Sequence, residues 1–215
     1  MNQSKLYYII ILSLLFSIAA ITIGYATLSN NVTIKSSASV VPNFAVSLSK
    51  AASSASTGNV SGTVSPSSGG PTAGTATLNA TTISGLKGTF TANGTAQSVK
   101  YSFYARNTGA VTGYLNTVNI GAISCSAGSP NPASATYITA TCNGITVTVK
   151  VGTATYSRTT ASNGSNASIS SHTLAASGNE AVEVTIALAA GDQYRPDGDV
   201  NVTIGDTTLI YAPID

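Results

Sequence analysis

The sequence predicts an all-β fold, an antiparallel β-sandwich of jelly-roll type, preceded by an N-terminal signal or hydrophobic helix. Three observations predict it. Apolar residues alternate with polar ones at period two in row after row, the rows are rich in β-branched and aromatic residues, and Gly, Pro, Asn and Asp signals separate them. Beyond the N-terminal apolar run no segment shows helical periodicity. Short strands divided by regular turn signals argue for two packed antiparallel sheets.

The first element is a short polar start with one lysine, Lys5, followed by an apolar run from Leu6 to Ile23 and the small-residue site Gly24-Tyr25-Ala26. A positive start, an apolar middle and small residues at the end make a secretory signal peptide, 1–26, with cleavage after Ala26. Its length also suits a retained membrane anchor, so both forms stay open. Either way the mature chain is expected outside the cytoplasm and touches membrane only through this N-terminal segment.

From Leu28 the chain alternates, with Leu28, Val32, Ile34, Ala38 and Val40 on one parity and Asn31, Thr33, Lys35 and Ser37 on the other. This is the pattern of a half-buried strand. It either closes its own sandwich or is donated to a neighbouring subunit, with the apolar parity filling the neighbour's groove. The rows that follow are Phe44, Val46 and Leu48; Val99, Tyr101, Phe103 and Ala105; Ile145, Val147, Val149 and Val151; Val182, Val184, Ile186 and Leu188; Val200, Val202 and Ile204; and Leu209 with Tyr211. Turn signals at Asn107-Thr108-Gly109, Asn143-Gly144 and Asp197-Gly198 punctuate them. Two stretches break the pattern and read as long surface loops, 50–73 and 159–171, because they are rich in Ser, Gly, Ala, Thr and Asn. Residues 27–215 are enough for a single sandwich domain.

Charged residues make up 7% of the 215 and the formal net charge is +2. So weak and scattered a charge does not steer toward nucleic acid, and it does little to keep copies of the chain apart. Self-association outside the cell is the expected partnership, with a signal peptidase as a transient partner during export.

Cys125 and Cys142 are the two cysteines, and neither belongs to a Cys-x-x-Cys pair. In an exported chain they are expected to form a disulfide rather than a metal or redox site. The turn-forming interior, Ser126 to Pro132, suggests that the bridge ties the ends of a hairpin-like excursion. For a loop of this length the chain-entropy model gives about 3 kcal/mol.

Catalytic candidates are few. His172 stands alone in a Ser-rich loop, and Glu180 and Glu183 fall on opposite faces of one expected strand, so no base or carboxylate pair emerges. The chain is expected not to be an enzyme and to need no cofactor. Asp192, Asp197 and Asp199 carry oxygens suited to Ca²⁺, but Pro196-Asp197-Gly198-Asp199 is equally a tight turn before the Val200 row. Threonine pairs at strand spacing, Thr75/Thr77, Thr139/Thr141, Thr146/Thr148 and Thr153/Thr155, place hydroxyls on one face, as a solvated strand or an array that binds ice or carbohydrate would. No Trp is present to form an aromatic platform.

Ile23-Gly24-Tyr25-Ala26-Thr27-Leu28-Ser29 running into Val32-Thr33-Ile34, Tyr101 to Gly109 followed by Gly113-Tyr114-Leu115, and Asp199 to Ile204 together resemble exported surface proteins of the TasA and camelysin group. Resemblance to that Gram-positive group implies a SipW-type signal peptide, a jelly-roll fold and a role as a subunit of an extracellular fibre or biofilm matrix. The Cys125/Cys142 pair and the 50–73 stretch depart from that pattern. The alternative expectation is a monomeric cell-surface adhesin or carbohydrate-binding module.

Export is expected to remove Met1 to Ala26 and to leave an oxidised Cys125–Cys142 bridge. The intact mass of the exported protein checks both. A mass that retains the signal, or two alkylatable thiols under non-reducing conditions, contradicts the corresponding half.

Overall fold

The computed structural model describes residues 3–28, 43–161, 165–167 and 172–214. The chain divides into two units, Met1–Val41 and Pro42–Asp215. The first unit is helix α1, Gln3–Leu28. Apolar side chains from Tyr7 to Phe16 stand exposed around it. Its serines satisfy themselves on the helix backbone, Ser13 Oγ donating to the Ile10 carbonyl at 2.9 Å and Ser17 Oγ to the Ser13 carbonyl at 2.8 Å. Among the described residues no helix is long and apolar enough to cross a membrane. Ala26 and Leu28 lie in the last turn of α1, so Leu28 is helical where the alternation had it open a strand. Val32, Ile34, Ala38 and Val40 lie outside the described residues.

The second unit begins with β1 (Val46–Ser49), β2 (Gly58–Ser61), β3 (Thr63–Ser65), β4 (Thr72–Ala73), β5 (Thr75–Asn79) and β6 (Thr82–Ser84). It continues through β7 (Lys87–Phe90), β8 (Gln97–Asn107), β9 (Gly113–Asn119) and β10 (Ile123–Ala127) to helix α2 (Ala135–Gly144). Then come β11 (Ile145–Val151), β12 (Ala154–Thr159), β13 (Ser165–Ala167), β14 (Thr173–Leu174), β15 (Asn179–Leu188), β16 (Val200–Ile204) and β17 (Thr207–Pro213).

These strands make an antiparallel sandwich. One layer is a sheet in the order β1-β8-β15-β11-β12, with β3 also paired to β8; the other holds β10-β16-β7-β4 and β13-β9-β17-β6-β5-β2, with β14 on β9. The layers meet where β7 packs on β8 and β15, and where β1 meets β5 and β2 meets β8. Every apolar row from Val99 to Tyr211 faces inward: Val99, Tyr101, Phe103 and Ala105 on β8, Ile145 to Val151 on β11, Val182 to Leu188 on β15, Val200 to Ile204 on β16, and Leu209 with Tyr211 on β17 are buried. Period two puts them on one face, and burying each large side chain is worth about 1.5–3 kcal/mol, so the register of every pairing is set by the same apolar face.

Two expectations are corrected. The 50–73 stretch is not a structureless loop: β2, β3 and β4 lie within it, β2 pairing with β5, β3 with β8 and β4 with β7. Strand pairing needs backbone amides and carbonyls more than bulk, and Val60 supplies the buried side chain that anchors β2. The 159–171 stretch likewise contains β13, paired to β9. The second correction is α2. Its buried residues are Thr141 and Gly144, so its inward side lacks the large apolar residues from which helical periodicity is read. Thr139 and Thr141 therefore belong to a helix, not to a strand face.

Tyr101 ties the layers. Its hydroxyl, fully buried on β8, donates to the Lys87 carbonyl of β7 at 2.6 Å, accepts from the Lys87 amide at 3.3 Å and lies 3.2 Å from the Gly74 carbonyl. Removing it takes an acceptor from the Lys87 amide and one of two donors from the Lys87 carbonyl, which the Gly74 amide also reaches at 3.1 Å, and loses a hydrogen bond between the layers. Tyr101→Phe is expected to lower unfolding stability by about 1–3 kcal/mol in a denaturant titration without changing the slope; a loss below measurement would show that the hydroxyl does not join the sheets.

Candidate functional site

The segment before β16 builds an open groove at one end of the sandwich. Asp199 is buried, 8% exposed, and holds the 128–133 segment: its carbonyl accepts from Gly128 at 2.7 Å and Ala133 at 3.1 Å, and its Oδ2 accepts from the Asn131 amide at 3.1 Å. Gly198 is required beside it, since a Cβ there would stand 2.5 Å from the Asn131 carbonyl oxygen and 2.8 Å from the Ala133 nitrogen. Asp197 Oδ1 accepts from the Ser134 amide at 2.9 Å, which sets a carboxylate at the start of α2, where the helix dipole favours negative charge.

Helix α2 is fixed at its other end as well. Cys142 is bonded to Cys125 of β10, with 5.9 Å between their Cα atoms, and Thr141 Oγ1 donates to the Tyr194 carbonyl at 3.1 Å. The expected disulfide is formed, and the excursion it closes is a loop and a helix rather than a hairpin. A turn from Gly191 to Arg195, closed by backbone bonds from Tyr194 to Gly191 and from Arg195 to Asp192, completes the wall.

The result is a groove of about 480 Å³ lined by Ala92, Tyr137, Asp192, Arg195, Pro196 and Asp197. It runs into a second of about 470 Å³ through the shared residues Ala92 and Asp197. Asp192, Arg195 and Asp197 are exposed, and Tyr137 in the first turn of α2 is 44% exposed. The three aspartates thus divide: Asp197 and Asp199 hold the loop as a turn, and Asp192 faces the groove. Among the described residues no group of three or more His, Cys, Asp or Glu stands together as a metal site.

A second polar cluster lies between the layers, and it corrects the reading of His172 as solitary. His172, just before β14, is hydrogen-bonded through Nε2 to Glu180 Oε2 of β15, and Tyr211 of β17 donates to Glu180 Oε1 at 2.7 Å. The His172 and Glu180 side chains are 15% and 12% exposed. Gly152, at φ 54° in the β11–β12 turn, covers the pair; a Cβ there would stand 2.9 Å from His172 Cε1. Glu180 continues the inward row of Val182 and Val184, whereas Glu183 faces outward to Lys100 at 3.2 Å. Burial first, and the Glu180 carboxylate second, push the Tyr211 phenol well above the ordinary tyrosine range. The same two causes raise Tyr156 on β12, and burial raises Tyr101.

Sequence reasoning missed Tyr137, Arg195 and the His172–Glu180–Tyr211 cluster. The cysteine pair was the one signal toward Tyr137, because it brackets the excursion that carries it. For the cluster there was none, since its members come from different sheets.

No protein-family model matches the chain, and no curated protein matches its sequence. Among solved structures, the adhesin domain of Epf from Streptococcus pyogenes is similar over 80% of this chain and 65% of that one, less than two thirds of its length, at 14% identity and a TM-score of 0.33.

In the unfolded chain Tyr211 ionises near pH 10, whereas in the fold it stays neutral at higher pH. The unfolded state therefore releases its proton first, so the stability this group contributes is complete below about pH 10 and is lost as pH rises further. Tyr211→Phe is expected to cost about 1–3 kcal/mol at neutral pH and to flatten the fall in melting temperature above about pH 10, leaving the part due to Tyr101 and Tyr156. Parallel thermal melts of wild type and variant check it; equal alkaline slopes would contradict it.

Proposed function

We propose that this is an exported cell-surface protein whose sandwich presents the groove of Tyr137, Asp192, Arg195 and Asp197 to a partner, as an adhesin does. One observation carries the reading. Only 7% of the chain is charged, yet three of the six residues lining the groove are, and none of the three has an ion-pair partner among the described residues. Charge so placed on a charge-poor surface serves recognition better than solubility. The formed Cys125–Cys142 bridge supports an oxidising, extracellular or surface location, and the N-terminal apolar run supports export to it. The reading is non-enzymatic, with the His172–Glu180–Tyr211 cluster as a structural bridge between sheets.

A second reading is a fibre or matrix subunit, as the resemblance to the TasA and camelysin group implies. The observation that favours it is a sandwich with little charge to repel its copies and with β12 and β4 at the ends of their sheets, the geometry that strand addition uses. In this reading Val32, Ile34, Ala38 and Val40 supply the added strand, which begins beyond Leu28 at the end of α1.

Beads coated with the exported protein are expected to adhere to cells of the producing culture, and Asp192→Ala with Arg195→Ala is expected to reduce adhesion about tenfold or more with an unchanged melting temperature. Adhesion untouched by the double variant would overturn the groove as the binding face. Negative-stain microscopy of the same preparation tests the second reading: fibres lost in a folded Val32→Asp, Ile34→Asp variant support it, and wild-type-like fibres from that variant exclude the donated strand.

A further inference from the structure

We propose that the groove is a saccharide-binding subsite in which the ring of Tyr137 takes the apolar face of one sugar while Asp192, Arg195 and Asp197 bind its hydroxyls. This deepens the adhesin reading and rests on it. Two carboxylates and one guanidinium leave the groove at a formal net of −1, too little to select a polyanion and opposed to a bare cation by Arg195 itself. What the set does offer is acceptors and donors side by side. An array of hydroxyls needs both, since each hydroxyl donates once and accepts as well.

The apolar contribution points the same way. Ala92 and Pro196 are small, and Tyr137 is the single large apolar surface in the lining. An apolar peptide anchor would find one wall and no pocket, whereas a sugar ring presents one C–H face and a polar rim. A half-exposed tyrosine ring satisfies the first at low conformational cost.

The groove is also preorganised. Asp197 is oriented by the Ser134 amide, α2 is held by Asp197 at one end and by the disulfide and Thr141 at the other, and the Tyr137 backbone is thereby placed before any ligand arrives. The adjoining groove is equally fixed. Thr91 Oγ1 and Asn93 Nδ2 donate to the Gly69 carbonyl at 3.3 and 2.9 Å, and the Gln97 side chain donates to the Thr91 carbonyl at 2.8 Å. Its lining of Thr91, Asn131, Asp197, Asp199, Ala92 and glycine backbone is mostly polar and carries no large side chain. The two grooves in series therefore suit an oligosaccharide, with the stacked sugar at Tyr137 and the next unit over Gly69 and Gly70.

The test is the exported protein on a printed array of neutral and acidic oligosaccharides, followed by titration calorimetry with the strongest binder. Tyr137→Ala is expected to weaken binding about tenfold or more, and Tyr137→Phe, which keeps the ring, to bind as wild type does. Arg195→Ala is expected to weaken it comparably, with melting temperatures unchanged in all three. No array binding while bead adhesion still depends on Asp192 and Arg195 overturns the saccharide and leaves the adhesin reading standing. Array binding that survives Tyr137→Ala and Arg195→Ala overturns this subsite. Loss of groove dependence in both assays overturns the adhesin reading as well.

Discussion

Strand β8 must bury one entire face, and the rest of the sandwich is arranged around that requirement. Its inward side chains run from Gln97 through Val99, Tyr101, Phe103 and Ala105 to Asn107, and all six are buried. The four central ones belong under apolar cover, which β7 of the facing layer helps to supply. The two ends are amides, and buried amides must find partners. Gln97 exchanges hydrogen bonds with the Thr91 backbone, and Asn107 bonds the Val111 carbonyl at 2.8 Å while accepting from the Gly109 amide at 2.9 Å. The same strand thus fixes the core and both adjoining turns, and one of those turns contributes to the groove.

Polar contacts in this fold divide by burial. The Lys100–Glu183 pair is 45% and 37% exposed and, like most surface pairs, is worth at most about 1 kcal/mol. Glu180 is in the opposite situation. It sits on an inward row among valines, and its cost is offset only because His172 and Tyr211 reach it from the facing sheet. A carboxylate in that row is thus a cross-layer fastener whose removal leaves two buried partners unpaired. Arg158 is satisfied only in part: its Nη1 donates to the Ile120 carbonyl at 2.6 Å, while its Nε is buried without a partner among the described residues.

The apolar rows were legible because strand periodicity is a property of neighbouring residues. Val147 and Val149 announce a buried face whatever lies opposite, and the structure buries both. Helix α2 was illegible for the converse reason: its inward positions are Thr141 and Gly144, and what holds it are Asp197, Tyr194 and Cys125, which come from other parts of the chain. Strands β2 to β4 escaped notice because their pairing partners, β5, β8 and β7, do more to define them than their own small side chains do.

The sequence by itself determined the all-β class, the inward rows, the cysteine pairing and the turn at Asp197-Gly198, since each depends on local chemistry or on the absence of any competing partner. Tertiary structure alone decided which polar residues meet. Tyr137, Asp192 and Arg195 share one groove only because Asp197 and Thr141 bind a helix to a distant loop while the disulfide holds that helix on β10, and His172, Glu180 and Tyr211 meet only because two sheets face each other. Distances between residues far apart in the chain are set by packing, and no period in the sequence encodes them.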